Sequence, residues 1–159
     1  MIKPTPGQRS AIAGLVLAAS TLVGIATHEG YKGEAYIPVP GDVPTIGFGH
    51  TKDVEMGDKT TPVRSLQVLL DEVDSIYAQG VRRCVTAPMY QHEFAASVSL
   101  AYNIGVSAFC KSTIVKKFNA QDYSGACAGF SDWNKQGGRV LPGLAKRRDE
   151  ERAICEGRA

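Results

Sequence analysis

Residues 27–51 read THEGYKGEAYIPVPGDVPTIGFGHT, and this stretch decides the architecture of the chain. Its density of glycine and proline excludes a long helix beyond Glu29. The pattern predicts that a helix ends near Glu29 and that a hairpin or small sheet follows, with turns around Asp42 and at residues 47–49. The carboxylate of Glu29 is therefore predicted to face a loop that carries Asp42 and Thr45.

A carboxylic acid at a helix end opposite a second polar group suits the hydrolysis of a glycosidic bond. One carboxylic acid protonates the leaving oxygen, while the second group holds or activates water on the opposite face of the sugar. Glu29 and Asp42 are separated by 13 positions. That spacing alone is weak support, because most such pairs are solvated surface carboxylates.

The rest of the chain reads as helices that pack on this glycine-rich element. Apolar spacing predicts helices over residues 62–77, 91–102, 112–118 and 143–156. The first of them is predicted to bury one apolar face, formed by Val63, Leu66, Leu70, Val73 and Ile76. The expected fold class is α+β, with a small β element packed on a mainly helical lobe and a cleft between the two.

Residues 11–27 carry no charge, and Lys3 and Arg9 precede them. As a helix they would reach roughly 25 Å, slightly less than the hydrocarbon core of a bilayer at about 30 Å. Three interpretations fit this segment: a cleaved signal peptide, a buried helix of the domain, or a weak membrane anchor. In the third, Lys3 and Arg9 stay on the cytoplasmic side.

The composition bounds the remaining possibilities. A chain of 159 residues fits one domain with a short terminal element, and a net charge of +2 gives no argument for nucleic acid. Zinc-ligand spacing is absent from the sequence, and no metal or cofactor is expected. Two disulfides in an oxidising compartment are predicted, with the pairing open, and the alternative is four buried thiols in the cytosol. The cysteines in question are Cys84, Cys110, Cys127 and Cys155.

Several motifs, taken in order over about residues 28–155, resemble the phage-type lysozymes of glycoside hydrolase family 24. They are Glu29-Gly30, Ala35-Tyr36, Thr45 to Thr51, Gln91, Phe94, Ala101 to Gly105, Lys111 to Thr113, Asn119, Trp133, Gly143-Leu144, Arg147-Arg148 and Glu151. The resemblance implies a lysozyme-like fold and an active-site cleft.

The resemblance implies that Glu29 is the general acid and that Thr45 helps to place the attacking water. The family's catalytic aspartate normally lies nine positions after the glutamate, where this chain has Pro38. Asp42 is the predicted substitute. The alternative is that Asp42 only caps its turn, in which case Glu29 and Thr45 act with little help or Glu34 contributes.

Three further residues are predicted to contact substrate or to support the site. The resemblance places Asn103 in the part of the pattern that lines the sugar-binding cleft, although a turn-capping role competes with it. Tyr102, the preceding residue, is also predicted to contact substrate. The alternative is that its ring belongs to the core. His50 follows a glycine turn, where it contacts substrate or hydrogen-bonds the loop that presents Thr45.

The implied activity is that of a phage endolysin that hydrolyses the β-1,4 bond between N-acetylmuramic acid and N-acetylglucosamine in peptidoglycan. A lytic transglycosylase that uses Glu29 alone and a non-catalytic wall-binding protein remain alternatives. The chain resembles endolysins of the signal-anchor-release kind, with residues 1–27 as the anchor and residues 28–159 as the catalytic domain. Export by the host would tether this monomer to the inner membrane through residues 11–27, before release into the periplasm. Cleavage between Ala19 and Thr21 is the alternative.

Overall fold

A computed structural model describes residues 8–159, so Lys3 of the predicted cationic flank lies outside the described residues. Its helices are α1 (Ala19–Glu29), α2 (Pro62–Glu72), α3 (Gln79–Cys84), α4 (Gln91–Ile104), α5 (Val106–Lys111), α6 (Thr113–Asn119), α7 (Tyr123–Ala128) and α8 (Pro142–Cys155). A π-helical segment, Val73–Ala78, joins α2 to α3. Short 3-10 turns lie at Ile12–Gly14 and Gly129–Asp132.

Two short antiparallel ribbons complete the architecture. Strands β1 (Lys32–Tyr36) and β2 (Thr45–Gly47) form the predicted hairpin, in which Tyr36 lies opposite Thr45. Strands β3 (Lys135–Gln136) and β4 (Arg139–Val140) form a second ribbon just before α8. The expected α+β class, a small β element on a mainly helical lobe, is confirmed.

Helix α1 ends where the sequence predicts. Gly30 adopts φ +71°, a backbone conformation that is easy for glycine and costly for other residues, so the helix stops and Glu29 becomes its last residue. The chain then turns directly into β1. This local break places the carboxylate of Glu29 at the junction between helix and hairpin.

The predicted apolar face of the helix that begins at Pro62 is wrong at three positions, whose side chains are exposed: Val63, Leu70 and Ile76. The buried stripe instead runs through Ser65, Leu69 and Val73. Contact with the hairpin explains this rotation. A Cβ atom added to Gly47 would lie only 2.6 Å from Oγ of Ser65, so the face of α2 that carries Ser65 is the one that packs closely on β2.

Helix α4 is the centre of the core and packs against α1, α3, α5 and α8. Its buried side chains share an apolar cluster with those of the surrounding helices, including Phe109, Ile114, Phe118 and Phe130. Helix α1 contributes Ile25 and Ala26 to the same cluster. The end of α1 that carries Glu29 is therefore held against the helical lobe by burial of apolar surface.

The two predicted disulfides are present. Cys84 at the end of α3 is bonded to Cys110 on α5, and Cys127 on α7 is bonded to Cys155 at the end of α8. They join residues 26 and 28 positions apart. In the chain-entropy account, closing a loop of that length lowers the entropy of the unfolded chain. Each bridge thereby stabilises the fold by about 3.5 kcal/mol.

Residues 11–27 do not form one continuous helix. A 3-10 turn over Ile12–Gly14 is followed by a non-helical link, and α1 begins only at Ala19. The side chain of Leu15 in the link is buried in the core cluster. Within residues 8–159, no helix combines the length and the apolar character that crossing a bilayer requires.

Candidate active site

The side chain of Glu29 is partly exposed and is held on one side by an arginine. Its Oε1 accepts a hydrogen bond from Nη1 of Arg147 at 3.1 Å. The exposed fractions of the two side chains are 26% for Glu29 and 7% for Arg147. A charge-assisted bond from a buried donor fixes the orientation of the carboxylate while leaving one edge accessible.

Arg147 belongs to a buried charge cluster on α8. Its Nε lies 3.2 Å from Oε1 of Glu151, which also accepts from Oγ of Ser99 at 2.7 Å. Nε of Arg148 lies 2.8 Å from Oε2 of the same carboxylate. Two guanidinium groups therefore share one buried carboxylate, and Glu29 supplies the negative charge that balances the cluster.

The other edge of Glu29 faces the turn that follows β2. Gly49 has φ +94°, and a Cβ atom added there would lie 3.8 Å from Oε2 of Glu29 and 3.7 Å from the Tyr102 hydroxyl oxygen. That hydroxyl donates to the carbonyl of Phe48 at 3.3 Å. The absence of a side chain at Gly49 thus lets the backbone of the turn pass close to both groups.

Tyr102 is a hydrogen-bond donor in this site over the whole physiological pH range. Burial raises the pKa of its hydroxyl well above the usual value, and the nearby carboxylate of Glu29 raises that pKa further. The Tyr77 ring packs against it with ring centres 4.8 Å apart. The phenol therefore holds the turn at Phe48 as a neutral donor.

Asp42 lies on the loop that connects β1 to β2, Thr45 is the first residue of β2, and both side chains are hydrogen-bonded to the backbone of Val43. Oδ1 of Asp42 accepts from the Val43 amide at 3.0 Å, and Oγ1 of Thr45 donates to the Val43 carbonyl at 3.2 Å. The Asp42 side chain is exposed, whereas Thr45 is buried. The capping interaction is therefore formed, and it occupies only one of the two carboxylate oxygens of Asp42.

His50 has its own carboxylate partner on α2. Nδ1 of His50 lies 2.6 Å from Oε1 of Glu72, and the His50 backbone exchanges two hydrogen bonds with Ile46. The ring and the backbone thus tie the turn after β2 to the helix, and a contact with substrate would be left to Nε2. Asn103 is exposed on α4 beside Tyr102, where its amide faces solvent.

The residues that support Glu29 and His50 were not identified as such from the sequence. Arg147 and Glu151 form an arginine–glutamate pair four positions apart, a spacing that places both on one helix face. Glu72 has no such signal, because its partner, His50, lies 22 positions earlier in the turn after β2. Among residues 8–159, no group of three or more His, Cys, Asp or Glu side chains is arranged to hold a metal ion.

Known proteins share this arrangement of sequence and fold. The sequence model of the Phage lysozyme family matches residues 26–151. An endolysin of Acyrthosiphon pisum secondary endosymbiont phage 1 is 39% identical over 139 residues, covering 85% of this chain and 94% of its own length. The SAR-endolysin of Enterobacteria phage P21 is 33% identical over 159 residues, covering 94% of this chain and 96% of its own.

Solved structures agree with these relatives. The endolysin from Escherichia coli O157:H7 phage FAHEc1 superposes with a TM-score of 0.79 at 35% identity, covering 89% of this chain and 94% of its own. Two forms of the P1 phage endolysin Lyz share the fold at lower identity. The active form matches at a TM-score of 0.77 and 23% identity, covering 95% and 96% of the two chains. The secreted inactive form matches at only 0.56 and 18%, covering 89% and 96%.

The match of the family model extends from the end of α1, through the hairpin and the central helix, to Glu151 in the charge cluster. It therefore includes Glu29 and the groups that hold it. This chain belongs to the phage lysozyme family, and it is an enzyme of the lysozyme type.

Proposed function

We propose that this lysozyme is a phage endolysin that hydrolyses the β-1,4 bond between N-acetylmuramic acid and N-acetylglucosamine, with Glu29 as the general acid. One observation carries the proposal. The Glu29 carboxylate is oriented by the buried Arg147 through Oε1, while Oε2 is directed toward the turn at Gly49. A preoriented acid with one accessible oxygen is what protonation of a leaving oxygen requires.

In the proposed reaction, the proton on Glu29 passes to the glycosidic oxygen as the bond from that oxygen to the anomeric carbon breaks. Arg147 then stabilises the carboxylate that remains. Water attacks the anomeric carbon from the opposite side, placed by Thr45, and gives its proton to the free oxygen of Asp42. Tyr102 keeps the turn at Phe48 in place without exchanging a proton.

The test compares Glu29→Gln and Asp42→Asn on purified peptidoglycan, with analysis of the released glycan ends. We expect Glu29→Gln to abolish release, and Asp42→Asn to lower the rate by about 100-fold, the scale of a lost general base. An active Glu29→Gln variant contradicts the role of Glu29, whereas a wild-type protein that releases no glycan ends supports a wall-binding protein instead. Wild-type rates for Asp42→Asn contradict the role of Asp42.

A lytic transglycosylase is the second candidate, because the Asp42 side chain is exposed and one of its carboxylate oxygens is bound to the Val43 amide. Such an enzyme closes the muramic acid on itself and uses no water. Its products end in 1,6-anhydro sugars, whereas the hydrolase leaves reducing N-acetylmuramic acid. The chemical form of the new ends distinguishes the two enzymes.

We further propose that residues 11–27 tether the protein to the host inner membrane before its release into the periplasm. The exposed face of α1 supports this, because it carries Ser20, Val23, Gly24 and Thr27 and no charged residue before His28. A face of this kind tolerates both lipid and water. The similarity to the SAR-endolysin of Enterobacteria phage P21 supports this proposal. Mass spectrometry of the soluble periplasmic protein should find an intact N-terminus, and an end between Ala19 and Thr21 would contradict release.

A further inference from the structure

The π-helical segment between α2 and α3 brings a tyrosine to the active site that no sequence pattern marks. Tyr77 is the fifth residue of this segment, which runs from Val73 to Ala78. A π turn closes hydrogen bonds between residues i and i+5, so it takes more residues per turn than an α-helix and each residue advances by a smaller angle. Segments of this kind occur frequently at functional sites.

The wide turn explains which side chains of the segment face the core. Ile76 is 49% exposed, whereas Val73 and Ala78 are fully buried. In a regular α-helix, residue 76 would lie about 60° from residue 73 around the axis, and residue 78 about 140° from it. The smaller angle per residue turns Ile76 outward and Ala78 inward. Tyr77 lies between the two, at the border of the core.

The Tyr77 ring packs against a side chain that borders the proposed acid. Its centre lies 4.8 Å from that of the Tyr102 ring, at an interplanar angle of 59°. The Tyr102 hydroxyl oxygen and Oε2 of Glu29 both lie within 3.8 Å of the position that a Cβ atom on Gly49 would take. A single aromatic ring therefore separates Tyr77 from the groups around Glu29.

The hydroxyl of Tyr77 is available to a ligand. It forms no hydrogen bond among residues 8–159, and its oxygen is not one of the buried atoms that lack a partner, so it reaches solvent. The hydroxyls of Tyr31, Tyr102 and Tyr123 each donate to a backbone carbonyl instead. A tyrosine with a fixed ring and an unused hydroxyl beside an active site suits the binding of a partly apolar, partly polar group.

The surroundings of this hydroxyl determine what it can bind. Burial raises the pKa of Tyr77, and the nearby carboxylates of Glu72 and Glu29 raise that pKa further. The phenol therefore stays a neutral donor in the vicinity of two acceptors. Sugar hydroxyls can donate to carboxylates, whereas a carbonyl oxygen only accepts and needs a donor. Tyr77 supplies that donor.

We infer that the Tyr77 hydroxyl donates a hydrogen bond to the carbonyl oxygen of an N-acetyl group of the glycan strand, which makes Tyr77 a substrate-binding residue. The inference rests on the hydrolysis proposed above and adds a determinant of its substrate. Both sugars of the strand carry an N-acetyl group, whose methyl suits the apolar edges of the Tyr77 and Tyr102 rings. A strand without these groups presents amino groups and no carbonyl oxygen at these positions.

The test measures the Kd of glycan fragments from peptidoglycan, with the N-acetyl groups intact, removed, or restored by acetic anhydride. The full-length Glu29→Gln chain is used, so that binding is measured without cleavage. Tyr77→Phe removes the hydroxyl and keeps the ring on Tyr102. Tyr90→Phe is the matched control, because it makes the same substitution at the start of α4, about 18 Å from Tyr102 along the helix.

On intact fragments we expect Tyr77→Phe to raise Kd about fivefold, the scale of one neutral hydrogen bond. On fragments without N-acetyl groups, chains with and without Tyr77→Phe should bind equally weakly, because the acceptor is missing. Restored N-acetyl groups should bring back the fivefold ratio. Tyr90→Phe should leave every Kd unchanged, and neither substitution should lower the midpoint of urea unfolding.

An unchanged Kd for Tyr77→Phe on intact fragments would overturn the inference and leave the proposed function intact. A fivefold ratio that persists without N-acetyl groups would overturn it as well, since the hydroxyl would then act on another group. So would a weaker binding that accompanies a lower urea midpoint, because the hydroxyl would then support the fold. Cleavage of the fragments by the Glu29→Gln chain would instead contradict the catalytic role of Glu29, so the two failures are distinguishable.

Discussion

Replacing Arg147 with methionine removes the group that orients Glu29 and preserves most of the volume of the buried side chain. The variant loses the 3.1 Å bond to Glu29 and the 3.2 Å contact with Glu151. Oε1 of Glu151 still accepts from Arg148 and Ser99, so the buried carboxylate remains paired with a guanidinium group. The change thus acts mainly on Glu29.

The magnitude follows from these contacts. Breaking a buried pair and leaving its partner uncompensated costs roughly 3–5 kcal/mol, and about 2 kcal/mol is expected here because Glu151 remains paired and Glu29 reaches solvent. The loss of catalytic rate should be larger than this loss of stability alone would cause. A displaced acid group lowers the rate by about 100-fold when the geometry shifts by an ångström. We therefore expect kcat to fall about 100-fold with a small change in KM.

The assay combines initial rates of peptidoglycan cleavage with urea unfolding. Arg152→Met is the matched control, since it makes the same substitution on α8 at a side chain that is 39% exposed and paired with Glu156. The control should lose less than about 1 kcal/mol and no activity. Wild-type kcat in Arg147→Met would refute the orienting role. So would an Arg147→Met loss of activity that matches its fraction unfolded.

Three other predictions follow from the same site. Glu72→Gln should weaken the tie to His50 and lower the free energy of unfolding by about 1–2 kcal/mol, and an unchanged urea midpoint would contradict it. Gly49→Ala should reduce activity more than stability, because a side chain at φ +94° strains the turn beside Glu29 by about 1–2 kcal/mol; full activity would show that the turn adapts. Burial raises the pKa of Tyr102, so above about pH 10 the unfolded chain loses a proton that the folded chain retains, and stability should fall with rising pH. Tyr102→Phe should reduce the steepness of that fall, and an identical pH profile in both proteins would contradict the assignment.

The local elements of the site were predictable because they depend on neighbouring residues. Gly30 ends α1 after Glu29, and proline and glycine punctuation produces the hairpin that carries Asp42 and Thr45. The period of apolar residues marked α4, α6 and α8 to within two residues of their observed ends, whereas the helix predicted over residues 62–77 is divided into α2, which ends at Glu72, and the π-helical segment that follows it. An even number of cysteines predicted two disulfides, whereas the pairing required the fold.

The rotation of α2 shows why periodicity alone was insufficient. Val63 and Leu70 are seven positions apart on α2, yet they face solvent, because the face that carries Ser65 packs on Gly47; Ile76 is also exposed and lies in the π-helical segment that follows. Spacing along a helix specifies which side chains share a face. Which face turns inward depends on the partner that packs against it.

By itself, the sequence determined where the helix ends, that Glu29 stands at that end, and that a glycine-rich turn follows. The tertiary structure decided what surrounds this carboxylate. Arg147 lies 118 positions from Glu29, and Arg9 lies 84 positions from Glu93, so no pattern of neighbouring residues predicts either ion pair. Short-range geometry is encoded by backbone preferences of adjacent residues, whereas ion pairs of this kind exist only after burial of the core has brought distant helices together.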